Sequence, residues 1–179
     1  MSLRSVAVLL ACWATAAAAE LGPHLAPALG KPAPAGFEAV VTPDGVGLPA
    51  GQGSVAEGEG VYVARCAACH GADGRLAGNA LAGGRGTLAT AQPLKTVGSF
   101  WPYATTLFDY VNRAMPYGNE KSLTANEVYA VTAYVLFLNE IIPADAVLSQ
   151  TSLAQVIMPN RDGFRPAPDF QPVQPPSGP

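Results

Sequence analysis

The chain has 179 residues and a formal net charge of −3, with 49% hydrophobic and only 13% charged residues. That length allows one domain of ordinary size with extensions, and the acidic balance weighs against nucleic acid or an anionic membrane surface as partner. Seventeen prolines and nineteen glycines exclude a chain that is regular throughout.

Residues 1–19 read as a secretory signal. Arg4 supplies the positive n-region, Val6 to Leu10 begin an apolar stretch, and Ala16 to Ala19 offer a small-residue cleavage site before Glu20. The apolar run is too short for a membrane span. Its removal takes away Arg4 and Cys12, which leaves nine basic residues against thirteen acidic ones. Leu9-Leu10-Ala11-Cys12 also looks like a lipobox, but the apolar stretch before Cys12 is very short and small apolar residues continue beyond it.

Residues 20–54 form a Pro/Gly-rich arm, with Lys31-Pro-Ala-Pro and Gly47-Leu-Pro-Ala-Gly-Gln-Gly. Prolines lack a backbone donor and glycines weaken regular elements, so an extended arm with turns is expected. Phe37 to Val41 is its one strand-like piece, Asp44-Gly45 is a turn signal, and His24 reads as an exposed histidine.

The pattern changes at Ser54. Ser54 with Glu57 three residues on is a capping-box pair, and it starts a helix through Val61 and Tyr62 toward Cys66. Gly58 lies inside that helix. Glycine there costs about 1 kcal/mol against alanine, so it calls for a packing reason such as the close approach of another helix.

Cys66-Ala-Ala-Cys69-His70 then follows. Two thiols three residues apart fall on one face of a helical turn, within reach of the two vinyl groups of one porphyrin. The histidine immediately after them brings an imidazole beneath the iron. The motif therefore predicts one covalently attached haem c, with Cys66, Cys69 and His70 as cofactor-binding residues and His70 on the metal. A zinc site needs a second ligand pair, and the only other candidates in the chain are Cys12 and His24. A thioredoxin-like redox pair needs a βαβ setting, which the helical, Gly-rich surroundings do not provide.

Gly71 to Gly86 is loop-rich, as suits backbone wrapped close to a flat cofactor. Thr105 to Arg113 reads as a short helix with Leu107, Tyr110 and Val111 on one face. Trp101, Tyr103 and Arg113 are candidate donors to the haem propionates, the alternative being core aromatics and a solvated charge. Met115-Pro116 comes next. A thioether sulfur is a soft ligand that raises the potential of haem iron, and the helix, Met-Pro, helix setting suits a stiff strap. Met115 is thus the predicted second metal ligand. Its competitor in the mature chain, Met158, is also followed by proline but lies in the tail.

Thr124 with Glu127 is a second capping box and opens the longest helix, which carries Val128, Val131, Val135 and Leu138 as an amphipathic stripe and is expected to close at Ile141-Ile142-Pro143. Tyr134 is placed to cross over Gly58. Residues 143–179 read as an extended, proline-rich tail. The expected organisation is a 1–19 signal peptide, a 20–54 arm, a 55–142 helical domain and a 143–179 tail.

Gly58, Tyr62, Cys66 to Gly71, Met115-Pro116 and the helix with Tyr134 together resemble the class I cytochrome c domain. That resemblance implies an all-α fold in which the first and last helices cross, with His70 and Met115 axial to one haem. Longer stretches are similar to a narrower subgroup: Pro43 to Gly58, Val97 to Tyr110, Arg113 to Pro116, and Met158-Pro-Asn-Arg-Asp-Gly-Phe164. They look like the cytochrome subunits of bacterial sulfite and sulfur (sulfane) dehydrogenases, including the Sox system, over roughly residues 40–165. Sox-type subunits are often longer and carry two haems, whereas this chain has one attachment motif.

The resemblance implies a periplasmic heterodimer in which a molybdopterin-containing dehydrogenase subunit passes electrons to this chain, and this chain to a downstream cytochrome c. Iron with two axial ligands leaves no position for substrate, so catalytic residues are expected in the partner and none here. The alternatives are a free diffusible electron carrier and, if Met115 is not a ligand, a catalytic haem such as a peroxidase.

Overall fold

The computed structural model describes residues 40–169. The expected signal peptide with Cys12, the arm as far as residue 39 including His24 and most of the strand-like piece, and the last ten residues of the tail lie outside them. The described residues fall within one unit, and none of their helices is long and apolar enough to cross a membrane.

Two helices dominate. Helix α1 spans Val55–Arg65, and its capping box is formed as expected: the Ser54 side chain accepts from the Glu57 N–H at 3.2 Å while the Glu57 carboxylate accepts from the Ser54 N–H at 2.8 Å. Helix α2 is the short turn Ala67–His70, helix α3 is Val97–Phe100, and helix α4 is Ala104–Ala114. Helix α5, Ala125–Leu138, opens on the second capping box, Thr124 with Glu127. Backbone N–H groups at a helix start have no intrahelical partner, and these side chains satisfy them.

The same bonds make stability depend on pH. The Thr124 and Ser54 hydrogen bonds hold the Glu127 and Glu57 carboxyls below the ordinary glutamate range. A carboxyl whose value is depressed by folding contributes stability above its unfolded value and loses it as pH falls through the folded one. Acid titration of the unfolding temperature is therefore expected to show a decline below about pH 4.5 that flattens in the Glu57→Gln/Glu127→Gln double variant. Removing the Thr124 hydroxyl (Thr124→Ala) should cost about 1 kcal/mol in a denaturant melt.

Helix α5 is the centre of the core. The expected stripe is there in Val128, Val131 and Val135, but burial is not confined to it: every residue from Val128 to Leu136 is buried. The helix is surrounded, with α1 and α4 packed against it and residues 52–54 laid across it. Gly58 shows how closely α1 comes. A Cβ there would run into the Ala130 carbonyl and stand 2.9 Å from the Tyr134 Cβ. The crossing expected at Tyr134 is thus made by Ala130 and Tyr134 together, with the Tyr62 and Tyr134 rings 5.2 Å apart beside it. On the α4 side, Phe108 and Tyr129 pack at 4.5 Å.

The expected end of α5 at Ile141 to Pro143 is corrected to Leu138. Asn139 caps the helix by donating its side-chain amide to the Val135 carbonyl at 2.8 Å. Glu140 then turns into the left-handed region, φ 57°, and the chain closes with Glu140 N–H to Phe137 O (2.8 Å) and Ile141 N–H to Leu136 O (3.1 Å). These two bonds are a Schellman ending, in which glycine is the usual left-handed residue. Glu140→Gly is expected to raise stability by about 1 kcal/mol, read by thermal unfolding, because the left-handed cost to a β-carbon disappears.

The sequence draws the helical domain at 55–142, whereas the packed body runs past both limits. Strand β1 (Gln52–Ser54) pairs antiparallel with β2 (Val147–Ser149), Gln52 opposite Ser149 and Ser54 opposite Val147. Gly53 lets this ribbon lie on α5, since a Cβ there would strike the Ala130 backbone. Val41, Leu48, Leu148, Leu153 and Met158 are all buried in the common core. Side chains lock both flanks down: Tyr129 Oη donates to Pro49 O and Gln150 Nε2 to Leu48 O, each at 2.8 Å. An all-α domain with a small ribbon is the result, and what reads as arm and tail supplies part of its core.

Candidate functional site

The site begins where α1 stops. Cys66 ends α1 with its N–H on Tyr62 O at 2.8 Å, and its own carbonyl accepts from both Cys69 N–H (3.1 Å) and His70 N–H (3.0 Å). These bonds hold both thiols and the imidazole on a single turn, the arrangement that the spacing predicted. Gly71 leaves that turn at φ 81°, and Tyr62 Oη donates to its carbonyl at 2.8 Å. Burial pushes the Tyr62 hydroxyl up to about 12. Burial first, and the neighbouring Cys69 second, push the Cys66 thiol up to about 11.

His70 is aimed by the loop that follows. Its Nδ1 lies 2.8 Å from the Asn79 carbonyl, so Nδ1 carries the proton and Nε2 is left with its lone pair. A ring nitrogen held this way presents the other as a ligand of fixed direction.

The second contribution comes from the end of α4. Met115 caps that helix with extended backbone and its N–H on Val111 O at 3.1 Å, and the Met115–Pro116 bond is cis. Asn119 N–H returns to Pro116 O at 2.9 Å, which closes the strap.

Cys66, Cys69, His70 and Met115 all line one cavity of about 400 Å³. Its walls are overwhelmingly apolar: Leu81 from the loop, Val97 from α3, Leu107 and Val111 from α4, Val131 and Val135 from α5. Volume and lining fall in the range of built small-molecule sites. Tyr117, 89% exposed, borders the cavity and marks a side where it meets solvent. No cluster of three or more His, Cys, Asp or Glu able to hold a metal ion occurs among the described residues, and both cysteines are free. Two unpaired thiols on one turn, an oriented imidazole and a thioether around an apolar cavity suit a flat hydrophobic macrocycle that binds covalently, and they fit haem c.

The other candidates separate. Trp101 lines the cavity and stands edge-on to Tyr110, ring centroids 5.8 Å apart. Tyr103 and Arg113 are not among the lining residues: the Tyr103 ring lies under the Arg161 guanidinium at 4.9 Å, and Arg113 Nε donates to Asp109 at 2.8 Å. Met158, the competing methionine, is 1% exposed in the core and does not border the cavity. Sequence reasoning missed the Asn79 carbonyl, a backbone group with no residue signature, and the walls provided by Leu81 and Val97.

Residues 55–139 match the Cytochrome c family. No curated protein matches the chain. Among solved structures, the sulfane dehydrogenase SoxCD from Paracoccus pantotrophus is similar with a TM-score of 0.71 and 42% identity, over 74% of this chain and 66% of that one. The chain thus spans slightly less than two thirds of the structure it resembles.

Proposed function

We propose, from the premise that residues 55–139 make this chain a class I c-type cytochrome resembling the Sox cytochrome subunit, that it is the electron-accepting subunit of a periplasmic, molybdenum-dependent sulfite or sulfane-sulfur dehydrogenase. The observation that carries the electron-transfer part is the convergence of Cys66, Cys69, His70 and Met115 on one apolar cavity. The likeness to SoxCD supports the choice of partner.

Cys66 and Cys69 would provide the two sulfurs for covalent attachment of one haem c, and His70 Nε2 and Met115 Sδ would hold its iron. The bound haem supplies a one-electron Fe(III)/Fe(II) couple. The chain's own residues do the rest. The Asn79 carbonyl fixes the direction of the imidazole, and the Met115-Pro116 strap presents the sulfur. Leu81, Val131, Val135 and their neighbours line the cavity with apolar side chains, a setting of low polarity that favours the less charged, reduced state. With His70 and Met115 both holding the iron, no position on it would be open to substrate, and the chemistry on substrate would lie in the partner. Electrons enter from a molybdopterin-containing subunit and leave to a downstream cytochrome c.

The test is reduction of the haem spectrum in the co-expressed complex on adding sulfite or a sulfane donor. Rapid reduction by one of them, abolished when the partner is omitted, is the expected result. Absence of reduction by either, or failure of the two chains to co-purify, would leave a free diffusible carrier in place of this reading.

A further inference from the structure

The segment Met158-Pro-Asn-Arg-Asp-Gly-Phe164 touches no part of the cavity, yet it grips the turn that does. Phe100-Trp101-Pro102-Tyr103 joins α3 to α4. Phe100 N–H bonds to Thr96 O at 3.0 Å, and Pro102 has no N–H to give. Three side chains of the segment meet this turn. Asn160 Nδ2 donates to the Phe100 carbonyl at 2.7 Å, the Arg161 guanidinium lies over the Tyr103 ring at 4.9 Å, and Phe164 packs edge-on against Phe100 with centroids 5.1 Å apart. Met158, 1% exposed, anchors the start of the segment in the core. The contacts fall on both sides of Trp101, the residue of the turn that lines the cavity.

We infer that Asn160, Arg161 and Phe164 are positioning residues that brace the 100–103 turn and so hold Trp101 as a wall of the cavity, keeping water from it. The inference rests on the reading of that cavity as the haem site. A half-buried carbonyl that loses its donor turns toward water, and a turn with so few backbone bonds follows it. Trp101 is then less well seated, water reaches the cavity, and the more highly charged oxidised state is favoured, which lowers the potential. None of the three touches the iron ligands, so ligation itself stays as it is.

The experiment compares Asn160→Ala, Asn160→Asp and Leu148→Ala with the unaltered holoprotein. Two quantities are read: the midpoint potential, and amide hydrogen exchange in the peptide that spans 97–104. Asn160→Asp keeps the shape of the side chain and removes the donor, while Leu148→Ala weakens the core in the β ribbon. Expected for both Asn160 variants are exchange several-fold faster in that peptide and a lower potential, with the axial-ligand spectrum unchanged. Leu148→Ala lowers the unfolding temperature and moves neither quantity. Unchanged exchange and potential in Asn160→Asp would overturn the brace, as would equal shifts in Leu148→Ala, which would reduce the effect to general loosening. Should the protein carry no covalent haem, the proposed function fails by that result alone, and exchange in the 97–104 peptide still decides the brace.

Discussion

Gly58→Ala is expected to destabilise the protein by about 3 kcal/mol or to prevent folding, although alanine is the better helix former. The two effects compete with known sizes. Alanine in place of glycine gains about 1 kcal/mol of helix propensity in α1. Against it stands a methyl group directed at the Ala130 carbonyl and the Tyr134 Cβ. Overpacking costs typically about 1–3 kcal/mol where side chains can shift and more where they cannot. Here the obstacle is helix backbone, so relief requires moving α1 away from α5 along their whole contact. The steric term wins. Denaturant unfolding measures it, and the same substitution at Gly60, where a Cβ meets nothing within 4 Å, is the matched control that should stabilise by about 1 kcal/mol. Equal effects at the two positions would refute the close-crossing account.

Met115→Ala is the second large effect, and it falls on potential rather than on attachment. Cys66 and Cys69 are untouched, so the holoprotein should retain one covalent haem through denaturing electrophoresis. Loss of the sulfur should lower the midpoint potential by on the order of 0.1 V or more, a fraction of the roughly 0.8 V over which axial ligands set haem potentials. It should also let exogenous ligands such as imidazole or carbon monoxide bind. Met158→Ala provides the contrast. Met158 fills the core and does not line the cavity, so its removal should cost about 2–5 kcal/mol of stability and leave the potential nearly unchanged. If the spectrum and potential of Met115→Ala match those of the unaltered protein, Met115 is not a ligand.

Features written in local chemistry could be read before any fold was known. Ser54 with Glu57 and Thr124 with Glu127 close their capping boxes over three residues, and Cys66 to His70 occupy one turn, so spacing alone predicts them. Features that depend on distant partners could not. Met115 and Met158 are each followed by proline; the helical setting pointed to Met115, but that Met158 is a core residue away from the cavity shows only in the packing. Strands of three residues at Gln52 and Val147 carry no periodicity of their own. They exist because Gly53 can lie against Ala130. The end of α5 was hidden for another reason: Glu140 takes a left-handed conformation that favours glycine, held there by two backbone bonds rather than by its own preference.

The pairing of Gln52 with Ser149 and the packing of α1 on α5 also bear on the order in which the molecule is assembled. Everything that surrounds the cavity is threaded between those two junctions. Its α5 wall, Val131 and Val135, arrives last along the chain, long after Cys66 to His70 have been made. Closing such a loop is an entropic cost paid before any contact rewards it. Both thiols are accessible while the chain is open; once its ends have met, Cys66 is half-buried and Cys69 stays exposed. A prosthetic group attached to the open chain would give α4 and α5, whose apolar side chains line the cavity, a surface to close upon.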